Sequence, residues 1–235
     1  MKTFDVFFIS YDEPNAELNF DRLLEKFNDI KRIEGIKGIS NAYAEVFKQA
    51  TTDFVYIVEG DNFVLDTFNF VEPIDDNIHA WPCINRSTQT ASFNGGIKLF
   101  PVEPMKGHTF NKIDVLLNID HPCFYEEIAG SVHAFDTDEV HTISHTIKQY
   151  LRLAMMKNIG EPGIDEEWNR WIDPQWHSQA RKDLIMQAVE YAKNIKPEDI
   201  SEDFFDNREA ILQIYASTFK PLIEETPRNK PLIFG

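Results

Sequence analysis

Residues 53–64, Asp-Phe-Val-Tyr-Ile-Val-Glu-Gly-Asp-Asn-Phe-Val, run an apolar strand straight into two carboxylates, Glu59 and Asp61, with Gly60 between them. An open α/β sheet binds ligands beyond the carboxyl ends of its strands, and paired acids there can hold a divalent cation that carries a phosphate. An acidic turn is the competing reading, since Gly, Asp and Asn favour turns for their own reasons. A second set lies after the first apolar run, where Tyr11, Asp12 and Glu13 follow residues 4–10. A Tyr ring there can stack on a base, and a carboxylate can accept a hydrogen bond from a base N–H or a ribose hydroxyl. A third is Gly35-Ile-Lys-Gly-Ile-Ser-Asn41, two glycines and a lysine ahead of a helix, which suits an anionic group with Lys37 touching it. It has neither P-loop nor GxGxxG spacing. An inverting group transfer at such a site would also need a base, and Glu126, Glu127 and Asp138 are candidates that the sequence does not rank.

The elements that would position these residues alternate. Residues 4–10 read as a buried strand, 19–27 as a helix with Phe20, Leu23, Leu24 and Phe27 on one face, and 31–34 as a short strand. A helix over 42–50, capped by Ser40 or Asn41, precedes the strand 54–58. This β-α-β-α-β order predicts an α/β fold with a mostly parallel, Rossmann-type sheet flanked by helices. From about residue 79 the rhythm changes. Ala80–Ile84 and Gly95–Phe100 read as an antiparallel insertion around a polar stretch, where Trp81, Arg86, Asn94, Gly95, Gly96 and Lys98 are candidates to line a ligand pocket. The adjacent glycines permit close approach of a ligand or, equally, a β-bulge. Val132–Phe135 is one more short strand, and Thr137 or Asp138 caps a helix carrying Val140, Ile143, Ile147, Leu151 and Ala154. On its opposite face His141, His145, Lys148 and Arg152 form a stripe expected to be solvated or to contact phosphate. Helices over 165–171, 175–194 and 206–215 complete the chain. The expected organisation is a nucleotide-binding catalytic domain over 1–157, a helical appendage over 158–220 and an extended tail over 221–235.

Composition agrees with a globular protein: 235 residues, 43% hydrophobic, 26% charged and 19 Phe imply a large aromatic core. The formal net charge of −16 argues against a surface that attracts nucleic acid everywhere. Two cysteines, Cys83 and Cys123, without metal-finger spacing, fit a reduced cytoplasmic setting. The first apolar run is too short for a signal-peptide core, and no segment approaches the ~20 apolar residues that span a bilayer.

Taken in order, Phe8-Ile-Ser-Tyr-Asp-Glu-Pro-Asn15, Gly35-Ile-Lys-Gly-Ile-Ser-Asn-Ala42, Val58-Glu-Gly-Asp61 and Gly95-Gly-Ile-Lys-Leu-Phe100 resemble GT-A-type glycosyltransferases of phages and cyanobacteria, over roughly residues 4–150. That resemblance implies a GT-A-like sheet and a nucleoside-diphosphate sugar, with uridine, as donor. It also implies Mn2+ or Mg2+ held by Asp61 and Glu59 with the donor diphosphate, and a further metal ligand late in the fold, for which His133 is the candidate. Glu59 departs from the Asp usual at the first acid. Tyr11, Asp12 and Glu13 would lie near the nucleobase, Lys37 and Asn41 beside ribose or diphosphate, and Gly95 and Gly96 against the donor. The expected function is transfer of a sugar to an acceptor hydroxyl, with 5-hydroxymethylcytosine in double-stranded phage DNA as one acceptor and a glycan or small molecule as another. A GT-A-like module that binds nucleotide or a protein partner without turnover is the alternative outside enzymes. Localisation would be the cytoplasm, that of the host for a phage protein.

Overall fold

The computed structural model describes residues 2–117, 119–160, 164–173, 175, 181–201 and 203–220, without the side chains of 93–95, 197, 206 and 208. In chain order the strands and helices are β1 (Phe4–Ser10), α1 (Ala16–Lys26), β2 (Ile30–Glu34), α2 (Ile39–Gln49), β3 (Phe54–Glu59), β4 (Asn62–Val64), β5 (Ile78–Asn85), β6 (Thr90–Pro101), α3 (Val102–Met105), β7 (Cys123–Tyr125), β8 (Ser131–His133), α4 (Glu139–Asn158), α5 (Ile164–Ile172), α6 (Lys182–Lys193), α7 (Asp203–Asp206) and α8 (Arg208–Ile214). They form two compact units. The first comprises residues 1–85 and 90–134, the second 86–89 and 135–235.

In the first unit one curled sheet runs in the order β2-β1-β3-β6-β5-β8-β4, with β7 paired to β5. β1 pairs in parallel with both β2 and β3, and β5 with both β7 and β8. Antiparallel pairing joins β3 to β6, β5 to β6 and β4 to β8. The arrangement is mixed α/β and GT-A-like, as expected. The central strands are buried on both faces, as parallel strands covered by helices must be. Along β1, Val6 and Phe8 face one core with Leu23 of α1, while Phe7 and Ile9 face the other with Tyr43, Val46 and Phe47 of α2. β3 divides in the same way, with Phe54, Tyr56 and Val58 on the α1 side and Val55 and Ile57 on the α2 side. Each fully buried side chain of this kind contributes roughly 1.5–3 kcal/mol of transfer free energy, so the strand ends that carry the candidate acids stand on a rigid base.

Two local expectations change. The helix expected at 42–50 starts earlier, and neither Ser40 nor Asn41 caps it: its N-cap is Gly38, at φ 88, with no side-chain hydrogen bond. The polar stretch after residue 85 is shorter than it reads, because β5 and β6 continue to Asn85 and Thr90, and Gln89 adopts φ 55 in the turn between them. Such a left-handed residue is what a tight hairpin connection requires.

The second unit is helical. α4 packs with α5 and α6; Ile143, Ile147 and Leu151 of α4 and Ile185, Val189 and Ala192 of α6 are fully buried. Asp138 caps α4 by accepting from His141 N at 2.7 Å. The helix expected over 175–194 is described from Lys182, and the one expected over 206–215 as Arg208–Ile214; residues 176–180 and the tail 221–235 lie outside the described residues. Among the described residues no helix is long and apolar enough to cross a membrane.

Candidate nucleotide and metal site

The site is built where β3 ends. After Glu59 the chain turns through Gly60 and Asp61 into β4, whose antiparallel register sets Asn62 opposite His133, Phe63 opposite Val132 and Val64 opposite Ser131. That register brings the last residue of β8 beside Asp61: His133 Nε2 lies 2.8 Å from Asp61 Oδ2. Asp61 is fixed by one further side-chain and one backbone contact. Asn62 Nδ2 donates to its Oδ1 at 3.0 Å, and Ala134 N donates to the Asp61 carbonyl at 3.0 Å. Asn62 is itself buried and accepts from Ser131 Oγ at 2.9 Å. His133 is 3% exposed; burial disfavours a charge on its ring, but Asp61, and behind it Cys83, more than offset this and hold its pKa well above the usual histidine range.

The loop after β1 closes on the same turn. Glu13 Oε2 accepts from Tyr11 N at 2.9 Å. A Cβ at Gly60 would stand 2.7 Å from that oxygen and 3.0 Å from Ser10 Cβ, so glycine is what lets the two strand-end loops touch. Burial, and then the neighbouring charge of Asp61, raise the Glu13 pKa. Asn19, buried in α1, donates from Nδ2 to the Gly60 carbonyl at 2.9 Å, tying the acidic turn to the helix beneath it. Asn15 Nδ2 reaches the Ala134 carbonyl at 3.4 Å, joining the loop after β1 to the end of β8.

Glu59 points to the α2 side of the sheet and has different company. Its Oε1 accepts from Tyr43 Oη at 2.9 Å and from Lys98 Nζ at 3.2 Å. Lys98 is 2% exposed and also donates to the Gly96 carbonyl at 3.3 Å. Tyr43 is fully buried, and burial followed by the Glu59 charge pushes its hydroxyl pKa well above 10.0. The first acid of the motif is thus held by a buried ammonium and a phenol, and the second by an imidazole. Tyr43 and Lys98 escaped the sequence reading in these roles: Tyr43 reads as one more core residue of an amphipathic helix, and Lys98 as a pocket-lining charge. A lysine alternating with Ile97 and Leu99 inside a buried strand was the available signal, because such a charge is almost never buried unpaired.

The remaining sequence candidates are placed as follows. Tyr11 is 40% exposed and Asp12 is exposed in the same loop. Lys37 is exposed, and Asn41 Nδ2 donates to the Lys37 carbonyl at 2.9 Å, bracing the start of α2. A Cβ at Gly96 would come 2.0 Å from the Trp81 carbonyl, where the β5–β6 register shifts between Trp81 and Cys83, so that face of Gly96 is taken by backbone. Gly95 lies in β6; its surroundings fall outside the described residues. Glu127 is exposed in the loop after β7. In the second unit Asp138 engages His141 twice, at the backbone N and at Nδ1 (2.8 Å); burial raises its carboxyl pKa, but the His141 contacts and Arg181 outweigh it and leave it below the usual range. Arg86 forms a two-pronged pair with buried Asp136. The stripe on α4 is not a solvated basic face: Arg152 is 5% exposed and held by Gln149 and Glu167, and His145 stacks on Phe135 at 4.0 Å between ring centroids.

No protein-family model matches the chain, and no curated protein matches it in sequence. Among solved structures it is similar to a mannosyltransferase from Pyrobaculum calidifontis in complex with GDP-Man and Mn2+, at 13% identity and a TM-score of 0.43, over 94% of this chain and 81% of that one. It is also similar to S. aureus TarS, at 13% identity and a TM-score of 0.35, over 92% of this chain and 55% of that one. A TarS fragment in complex with UDP-GlcNAc matches at 10% identity and a TM-score of 0.25, over 92% of each chain. Likenesses at these scores carry no weight for function, which has to rest on the residues themselves.

Proposed function

We propose that the chain is a metal-dependent glycosyltransferase that takes a sugar from a nucleoside-diphosphate donor, with uridine as the base, and passes it to an acceptor hydroxyl. The observation that carries this reading is the pairing of Asp61 Oδ2 with His133 Nε2 at 2.8 Å beyond the carboxyl end of β3, beside the Glu13 loop. One hard oxygen and one imidazole nitrogen, already converged and braced by Asn62, form a donor set suited to Mn2+. Asp61 and His133 would hold the ion, with the carboxylate ionised and the imidazole neutral. Glu59 is less suited to that task than the sequence motif implies, because Lys98 and Tyr43 already engage its Oε1. Held there, an ion would supply positive charge against a leaving diphosphate.

The chain's own residues supply the rest. The Tyr11–Glu13 loop presents an exposed ring and a carboxylate held rigid through Tyr11 N, as recognition of a base and ribose requires. α2 begins at Gly38 without a side-chain cap and with Lys37 exposed just ahead of it, which suits a phosphate. Asp138 is occupied as a helix cap, which disfavours it as the base of this proposal. A glycan or small-molecule acceptor is favoured over hydroxymethylcytosine in DNA. The net charge of −16 repels a polyanion, and Arg152 and Lys106, which would have formed part of a basic groove, are paired with Glu167 and Glu103. The test is release of nucleoside diphosphate from a panel of UDP- and GDP-sugars with Mn2+. Release that needs Mn2+ and is lost in Asp61→Asn supports the reading, and silence from every donor would remove it.

A further inference from the structure

A row of rings in the first unit leads from the core to β7 at the sheet edge. His79 stacks with both Trp81 and Phe124, at 5.9 and 5.8 Å between centroids and 25° in each case. Trp81 continues the row inward to Tyr56 and Phe68. The imidazole cannot turn: Nδ1 lies 2.7 Å from Glu126 Oε1 and Nε2 lies 2.9 Å from Asp75 Oδ1. Strand alternation accounts for the arrangement, since β7 pairs His79 with Phe124 and thereby puts Phe124 and Glu126 on the His79 face. Phe124 covers the imidazole with one side of its ring and remains 53% exposed, so the ring's outward side faces solvent. Beside it the Glu126 side chain is 37% exposed and uses only Oε1 on the histidine.

We infer that this edge is a saccharide subsite, in which the apolar face of a neutral sugar stacks on Phe124 and a sugar hydroxyl donates to Glu126. The ligand class follows from the residues. A rigid ring with an open face takes a flat apolar surface; an adjoining carboxylate takes hydroxyl donors; and two acids in a chain of net charge −16 repel a phosphate-bearing strand. The inference rests on the glycosyltransferase reading and names the acceptor class for it. His79 lies six positions along β5 from Asn85, the register partner of His133, or ~20 Å at the strand rise. The subsite would therefore hold the remote sugars of an extended acceptor rather than the reacting one, contributing affinity from groups far from the chemistry.

Saturation-transfer NMR on the full chain with mannotriose, chitotriose and maltotriose, without donor, tests it. The expected result is transfer to ring C–H protons of at least one trisaccharide. Affinity should fall about tenfold, or about 1.4 kcal/mol, in Phe124→Ala and be retained in Phe124→Trp, which keeps the stacking face. Stabilisation by UDP with Mn2+, read separately as a melting shift, should be the same in wild type and Phe124→Ala. Absence of transfer from all three sugars, or equal transfer in Phe124→Ala, overturns the subsite whether or not UDP and Mn2+ stabilise the chain. Transfer without any UDP–Mn2+ stabilisation keeps the subsite and removes the donor reading. Binding of a DNA duplex that is lost in Phe124→Ala would overturn the neutral class.

Discussion

Replacing Lys98 by methionine should be among the most damaging conservative-sized changes in the first unit, and its size can be worked from the site. Lys98 is 2% exposed, Glu59 has a side-chain exposure of 19%, and their charged atoms are 3.2 Å apart. At an effective dielectric of about 20 that separation corresponds to ~5 kcal/mol of gross attraction, much of it offset by the cost of taking the ammonium out of water. Removing one partner of a buried pair costs about 3–5 kcal/mol, and because Glu59 keeps some solvent and the Tyr43 hydroxyl, the lower end, about 3 kcal/mol, is expected here. Glu59→Gln keeps a neutral acceptor for both Tyr43 and Lys98 but strands the more deeply buried ammonium, and should also cost about 3 kcal/mol. Lys98→Met with Glu59→Gln removes both charges, so the double variant should be about 2 kcal/mol more stable than the sum of the single losses implies. Urea unfolding of the four proteins gives the cycle, and melting should fall by ~6–12 °C in Lys98→Met, at 2–4 °C per kcal/mol for a chain of this size. Additivity within ~0.5 kcal/mol, or a Lys98→Met loss below ~1 kcal/mol, would show that the pair does not have the buried, coupled character described.

Three further outcomes are expected. Gly96→Ala forces a methyl to 2.0 Å from the Trp81 carbonyl, which is backbone and cannot swing away, so the loss should reach ~3 kcal/mol and be visible as lower melting without any ligand present. His79 has its pKa raised: burial opposes the charge, but Asp75 and Glu126 outweigh it. A raised folded-state value means that the stabilisation is fully present below the ordinary histidine value of 6.5 and is lost as pH climbs through the folded value, so the melting gap between wild type and His79→Gln should shrink as pH rises from 6 to 9; a gap that widens would contradict the pairing. Asn19→Ala removes the buried donor to the Gly60 carbonyl and should cost about 1–3 kcal/mol while weakening Mn2+-dependent UDP binding, measured by calorimetry, because the turn that carries Asp61 loses its tie to α1.

The alternation of strands and helices up to residue 59 was legible because both faces of β1 and β3 are apolar and each crossover helix has one clear apolar stripe. The acidic turn was legible too, as a strand ending in Glu-Gly-Asp. What the chain order could not reveal was the division of labour between its acids, since that depends on which face each side chain leaves: Glu59 continues the Ile57 face toward Lys98 and Tyr43, while Asp61, beyond the strand, turns to β8. The His133 contact depends on a three-residue antiparallel register between segments some 70 positions apart, which local periodicity does not encode. The α4 stripe misled for the opposite reason. A polar helix face reads as solvated, yet Arg152 can be buried because Gln149 and Glu167 satisfy its donors.

The central claim is that Asp61 and His133 together hold a divalent cation for a nucleoside diphosphate, and a Mn2+ titration followed by electron paramagnetic resonance, with and without UDP, addresses it most directly. Loss of the free-ion signal on adding wild-type protein, strengthened by UDP and absent in folded Asp61→Asn and His133→Gln, is the predicted result. Undiminished Mn2+ uptake in both variants, or UDP binding indifferent to Mn2+, would contradict the account.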